Sequence, residues 1–162
     1  MSTLLIKNAH LLTMDDHQTE LSDGGLFIRD LETGQTTHVG VGVDGADAVV
    51  SRGGRYVAFT TWVIGETADT SMSDVFVHDR QTSITTQVSV NSNEVPGNGW
   101  SNGSAISDDG RFIAFHSEAT NLVDGDTNEA SDIFVRDLQT GTTERVSIAS
   151  DGSQANGGSG DL

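Results

Sequence analysis

The sequence has no cysteine, one proline and a single lysine, Lys7, among eight basic residues set against 24 acidic ones. Without cysteine there are no disulfides and no thiolate chemistry, and the redox compartment stays open. With cationic side chains so scarce and a formal net charge of −16, polyanions are repelled, so nucleic acid and anionic membranes drop out as partners. Such a surface suits solubility, cations or a basic partner. Long apolar runs are missing as well. The opening stretch from Met1 to Asp16 is broken by polar residues before it reaches the length of a signal-peptide core. No stretch approaches the roughly 20 apolar residues of a membrane span. As written, the chain is expected to stay in the cytoplasm, where it is made. Helical periodicity is absent from every window of about ten residues.

Glycine, in contrast, is plentiful, 19 in 162 residues, and clusters of Asn, Asp, Ser and Thr punctuate the chain at short intervals. That is the texture of an all-β protein with many turns. The length suits one ordinary domain or two very small ones.

The strongest feature is internal repetition. Ser131-Asp132-Ile133-Phe134-Val135-Arg136-Asp137 matches Ser73-Asp74-Val75-Phe76-Val77-His78-Asp79, and Gly24-Gly25-Leu26-Phe27-Ile28-Arg29-Asp30 is a third copy. Each is followed by a turn and a further strand. Between them, Ser107-Asp108-Asp109-Gly110-Arg111-Phe112-Ile113-Ala114-Phe115 matches Ser51-Arg52-Gly53-Gly54-Arg55-Tyr56-Val57-Ala58-Phe59. Ser131 lies 58 residues after Ser73, Ser107 56 after Ser51, and Ser73 49 after Gly24, so loop lengths drift. A unit reads as four short strands, around 104–107, 111–116, 132–137 and 143–148, joined by turns at Asp109-Gly110 and Thr140-Gly141. The strand cores are apolar at consecutive positions, which requires cover on both faces. A β-propeller, where each blade is sandwiched between neighbours, meets that demand.

These paired motifs resemble the TolB-like propeller repeats, over roughly residues 24–161. The resemblance implies four-stranded antiparallel meander blades and a periplasmic or secreted setting. Two positions depart from it: Arg52-Gly53 stands for the usual acidic pair, and Ser83 for the turn glycine. The repeat divides the chain into an N-terminal segment, 1–23, units at about 24–79 and 80–137, and a partial unit, 138–162. Ser150 to Asp161 matches the linker Ser92 to Gly103. Two to three units make an incomplete ring, since propellers close with about four to eight blades. A homo-oligomer or a larger propeller context is therefore expected.

Residues 1–30 are similar to the opening strands of cyclic-amidohydrolase deaminases, through Leu4-Leu5-Ile6-Lys7-Asn8-Ala9 and then Gly24 to Asp30. The activity does not come with the likeness. Of the five histidines (His10, His17, His38, His78 and His116) no two are one residue apart, and such a metal site needs three or four converging ligands.

One loop has the pattern of a calcium site. In Asp124-Gly125-Asp126-Thr127-Asn128-Glu129-Ala130-Ser131-Asp132, oxygen ligands fall on Asp124, Asp126, Asn128 and Asp132, with the Ala130 carbonyl between. It resembles the acidic loops of calcium-binding propellers. An Asx-rich turn that caps its own backbone and binds nothing has the same composition, and both readings stand. The earlier unit carries Glu66, Ala68, Thr70 and Asp74 there. Trp62 and Trp100 are expected to pack between blades, the other role being to line a ligand surface. No nucleophile-elbow or triad signature occurs, and the glycine-rich tail from Gly152 to Gly160 lacks the lysine of a phosphate loop. The expectation is a non-enzymatic module that binds or scaffolds a protein or small molecule. The competing reading is a fragment or decayed fusion of an amidohydrolase-type hydrolase without its metal site.

Overall fold

Between Ser107 and Phe112 the chain reverses on side-chain chemistry. The Ser107 hydroxyl accepts the Phe112 N–H at 2.9 Å and donates to Asp109 Oδ1 at 2.6 Å, which in turn accepts the Arg111 N–H at 3.0 Å. Gly110 sits at φ +77°, and a Cβ there would lie 2.0 Å from the Tyr56 ring. Glycine is thus required both by the turn and by the neighbouring sheet. The same serine device recurs one unit earlier, where Ser51 Oγ accepts the Tyr56 N–H at 3.1 Å.

These contacts come from a computed structural model, which describes residues 3–6, 11–12, 20–21, 25–30, 33–41, 46–63, 72–155 and 157–158. Its strands are β1 (Thr3–Ile6), β2 (Leu11–Leu12), β3 (Glu20–Leu21), β4 (Gly25–Asp30), β5 (Thr36–Val41), β6 (Ala46–Val50), β7 (Tyr56–Val63), β8 (Met72–Asp79), β9 (Ile84–Gln87), β10 (Ser101–Ile106), β11 (Phe112–Ser117), β12 (Asp132–Asp137) and β13 (Thr142–Arg145). Among the described residues there is no helix, and so none long and apolar enough to cross a membrane. The strands form four open sheets, ordered β1-β4-β5, β2-β3, β6-β7-β8-β9 and β10-β11-β12-β13. The two four-stranded sheets are antiparallel meanders, as the repeat implied.

Register confirms the repeat strand by strand. Tyr56 pairs with Asp79 and Phe59 with Phe76 on β7 and β8; Phe112 pairs with Asp137 and Phe115 with Phe134 on β11 and β12. In the first sheet Thr3 pairs with Asp30 and Ile6 with Phe27. So β1 stands against β4 where β7 stands against β8.

Apolar side chains meet between sheets. On one seam, Ala58, Val75 and Val77 of the middle sheet pack on Ile113, Phe115 and Phe134 of the last. On the other, Val57 and Phe59 of the middle sheet pack with Ile28 and Val39 of the first. The middle sheet is therefore covered on both faces, and β8 is buried almost throughout. The last sheet departs from the expectation of two covered faces. On β11 and β12 burial alternates, because Ile113, Phe115 and Phe134 face the middle sheet while Phe112, Ala114, Ile133 and Val135 face away from it.

Ser83 takes the left-handed position of the β8–β9 turn, at φ +59°, where Gly141 (φ +70°) closes the β12–β13 turn. A side chain is strained there. We expect Ser83→Gly to raise stability by about 0.5–1 kcal/mol in equilibrium urea unfolding.

Candidate functional site

A recurring polar frame holds the apolar seams in place. Arg55 Nε and Nη2 donate to the two Asp79 carboxylate oxygens at 2.9 and 2.7 Å; Arg111 does the same to Asp137 at 2.9 and 2.6 Å. Both are two-pronged pairs matched to carboxylate geometry. The arginine beside each aspartate holds its carboxyl well below the usual carboxylate range. A second staple lies at the other end of each strand pair. Ser89 donates to Asp74 at 2.7 Å and accepts the Val75 N–H at 3.2 Å; Ser147 donates to Asp132 at 2.6 Å and accepts the Ile133 N–H at 3.1 Å. Burial pushes the Asp74 carboxyl up, against hydrogen bonds from Ser89 and Gln87. A third element crosses to the outer strand: Arg29, His78 and Arg136 bond to Thr36, Thr85 and Thr143 respectively. Arg136, with its side chain 5 % exposed, also reaches Glu94 and the Asn91 and Gly141 carbonyls, locking the linker to the last sheet.

The acidic loop leads into β12, ending on that strand's first residue, Asp132. Asp126, Asn128 and Asp132 come together; Asp124 stays exposed, and the Ala130 carbonyl takes part in none of the bonds that follow. Asn128 Nδ2 donates to Asp132 Oδ2 at 3.3 Å and to the Ala155 carbonyl at 2.8 Å, and its Oδ1 accepts the Ala130 N–H at 3.1 Å. Gln154 donates to Asp126 at 2.8 Å and to Asp132 at 3.3 Å. The cation between the two carboxylates is Arg145, whose Nη1 lies 3.3 Å from Asp126 and 3.6 Å from Asp132. Among the described residues no three His, Asp or Glu side chains gather closely enough to hold a metal ion. Arg145 is the member that sequence reasoning missed. Its signal was positional, since it stands opposite Phe134 where the previous unit has Gln87 opposite Phe76. The earlier unit's Glu66, Ala68 and Thr70 lie outside the described residues, as do His10 and His17.

A cleft of about 580 Å³ opens between the last two sheets, lined by Tyr56, Val77, Ile84, Thr86, Gly110 and Leu138 among others. That size suits a small ligand. Of its charged walls, Asp79 and Arg111 are engaged with Arg55 and Asp137, and Asp109 accepts from the Ser107 hydroxyl and the Arg111 N–H. At the opposite end of the same seam Trp62 and Trp100 meet edge to face, their centroids 5.2 Å apart. Trp62 lies within β7, and the two tryptophans, which touch at this seam, remain 47 % and 45 % exposed.

Four-stranded antiparallel meanders stacked face to face, with their apolar residues in the seams, define blades of a β-propeller that does not close. The solved structures agree. The chain is similar to TolB from Acinetobacter baumannii, with a TM-score of 0.51 and 18% identity over 80% of this chain and 30% of that one. It is also similar to the tricorn protease, with a TM-score of 0.51 and 20% identity over 70% of this chain and 12% of the other. The chain thus spans less than a third of either. The sequence matches no known family model and no curated protein. The likeness is to the TolB-like propeller fold, and the amidohydrolase likeness of residues 1–30 gains no support from these structures.

Asp79 and Asp137 titrate below the unfolded-chain value of about 3.9. Their stabilisation is complete above that pH and is lost as pH falls towards the folded-state values. We expect Asp137→Asn to lower the denaturation midpoint at neutral pH. Its midpoint should then fall less than the parent's between about pH 5 and about pH 2, measured by urea titration across that range.

Proposed function

We propose that the chain is a non-enzymatic propeller module that binds or scaffolds other proteins, and that its uncovered sheet face is completed by a second copy. The observation that carries this reading is positional. Phe112, Ala114, Ile133 and Val135 occupy the places that Tyr56, Ala58, Val75 and Val77 hold one unit earlier. There, Ala58 and Val75 are fully buried under the next sheet; here Phe112 is 40 % exposed and the others are half-buried. An apolar face built for a neighbour drives association in proportion to the area it removes from water. Light scattering across a concentration series tests it. The parent should run as a dimer or larger, and Val135→Glu, which sets a charge in the middle of the face, should run as a monomer. A parent monomeric at every concentration overturns the proposal.

Structural calcium at Asp124, Asp126, Asn128, Ala130 and Asp132 is a second reading, favoured by the gathering of Asp126, Asn128 and Asp132 and by the depth of Asp126, whose side chain is 2 % exposed. The ion would have to displace Arg145, so Arg145→Gln should bind calcium more tightly than the parent. Calorimetry is the check, and no heat from either protein at roughly millimolar calcium rules the ion out.

A further inference from the structure

What packs one sheet on the next recurs from unit to unit; the tryptophan pair does not. Counting along the matched strands, Glu118 holds the position of Trp62 in the following unit, because Thr61 opposite Asp74 corresponds to Ser117 opposite Asp132. Gly158 holds the position of Trp100, in a second linker that repeats the first: the bridge Val90 to Pro96 recurs as Ile148 to Gln154. The pair is therefore not a fixture of blade stacking. The chain around it is also tied together. The Trp100 carbonyl accepts the Glu118 N–H at 2.8 Å and the Ser117 hydroxyl at 3.2 Å. A Cβ on Gly99 would lie 2.7 Å from the Glu118 backbone, so glycine at 99 is what brings the two chains together. Ser73, opposite Trp62, donates to Asn102 at 2.6 Å, two residues past Trp100, and ties the floor of the pair across the seam. The outcome is two half-exposed residues whose indoles meet edge to face, on a chain of net charge −16.

We propose that Trp62 and Trp100 form a recognition platform for a lysine or arginine side chain presented by a basic segment of a partner protein. An indole face attracts a cation through its quadrupole, and a preformed aromatic site spends little entropy on binding. Surplus negative charge over the whole surface brings such a segment in. The platform lies on the seam between the last two sheets, and its role does not depend on what covers the open face.

The chain has only two tryptophans, and both are in the pair. Tryptophan emission, excited where Tyr56 does not absorb, therefore reports on this site alone. A hexa-arginine peptide, titrated at physiological salt, should change the emission saturably. By calorimetry, Trp62→Ala and Trp100→Ala should each weaken its binding about fivefold or more. Trp100→Leu, which keeps apolar bulk and so guards against a folding artefact, should weaken it as much as Trp100→Ala. Trp100→Phe should retain most of the affinity. Equal affinity in the parent and Trp100→Leu, or saturable binding without an emission change, overturns the proposal.

Discussion

Ile113, Phe115 and Phe134 on one sheet meet Ala58, Val75 and Val77 on the next, and the rest of the architecture depends on that contact. A four-stranded sheet of this size has too little interior of its own, so its stability comes from what lies against its faces. The strands are therefore apolar at consecutive positions, and the polar work is pushed to their ends. The arginine–aspartate clamps sit at one end of each strand pair and the serine–aspartate staples at the other. Between them lie the apolar side chains of the seam, with one buried hydroxyl in their midst, Thr60 of β7, that makes no hydrogen bond; a dry seam tolerates few such groups.

The same division of labour explains where function is to be found. Residues that recur at matched positions answer to stacking. Those that break the repeat are free of that duty: Arg145 in place of Gln87, and Trp62 in place of what becomes Glu118. Arg145 brings an internal cation to a loop rich in carboxylates, whereas Asp74 in the earlier unit accepts from Ser89 and Gln87, and burial raises its pKa. Both equivalent aspartates accept from a hydroxyl and from amide groups, and Asp132 has a charge, Arg145, beside it as well.

Much of this was legible in the sequence. The third strand of the last unit was expected at 132–137 and is found at Asp132–Asp137, because its apolar core and flanking aspartates fix both ends. The second was expected at 111–116 and runs Phe112–Ser117, since Arg111 is taken by its clamp to Asp137. The innermost strand begins earlier than its apolar residues suggest, at Ser101, and reaches them through a bulge at Gly103. The outer strand, expected to reach 148, stops at Arg145, and Ser147 is spent on Asp132 instead. What local patterns do not carry is contact between units. The pairing of Trp62 with Trp100, and the approach of Arg145 to Asp126, depend on how one sheet lies against its neighbour or its linker. No window of sequence spans those distances.

The stacking has a thermodynamic consequence. Among the described residues each core seam joins one sheet to the next along the chain, so the molecule behaves as a one-dimensional array whose stability is a sum of unit terms and nearest-neighbour interface terms. The middle sheet draws on two interfaces and the last on one. Cooperativity is therefore graded along the chain, firmest at β6–β9 and weaker at β10–β13. A neighbour docking on the exposed end adds an interface term there, and through the shared seam it also makes opening of the middle sheet rarer.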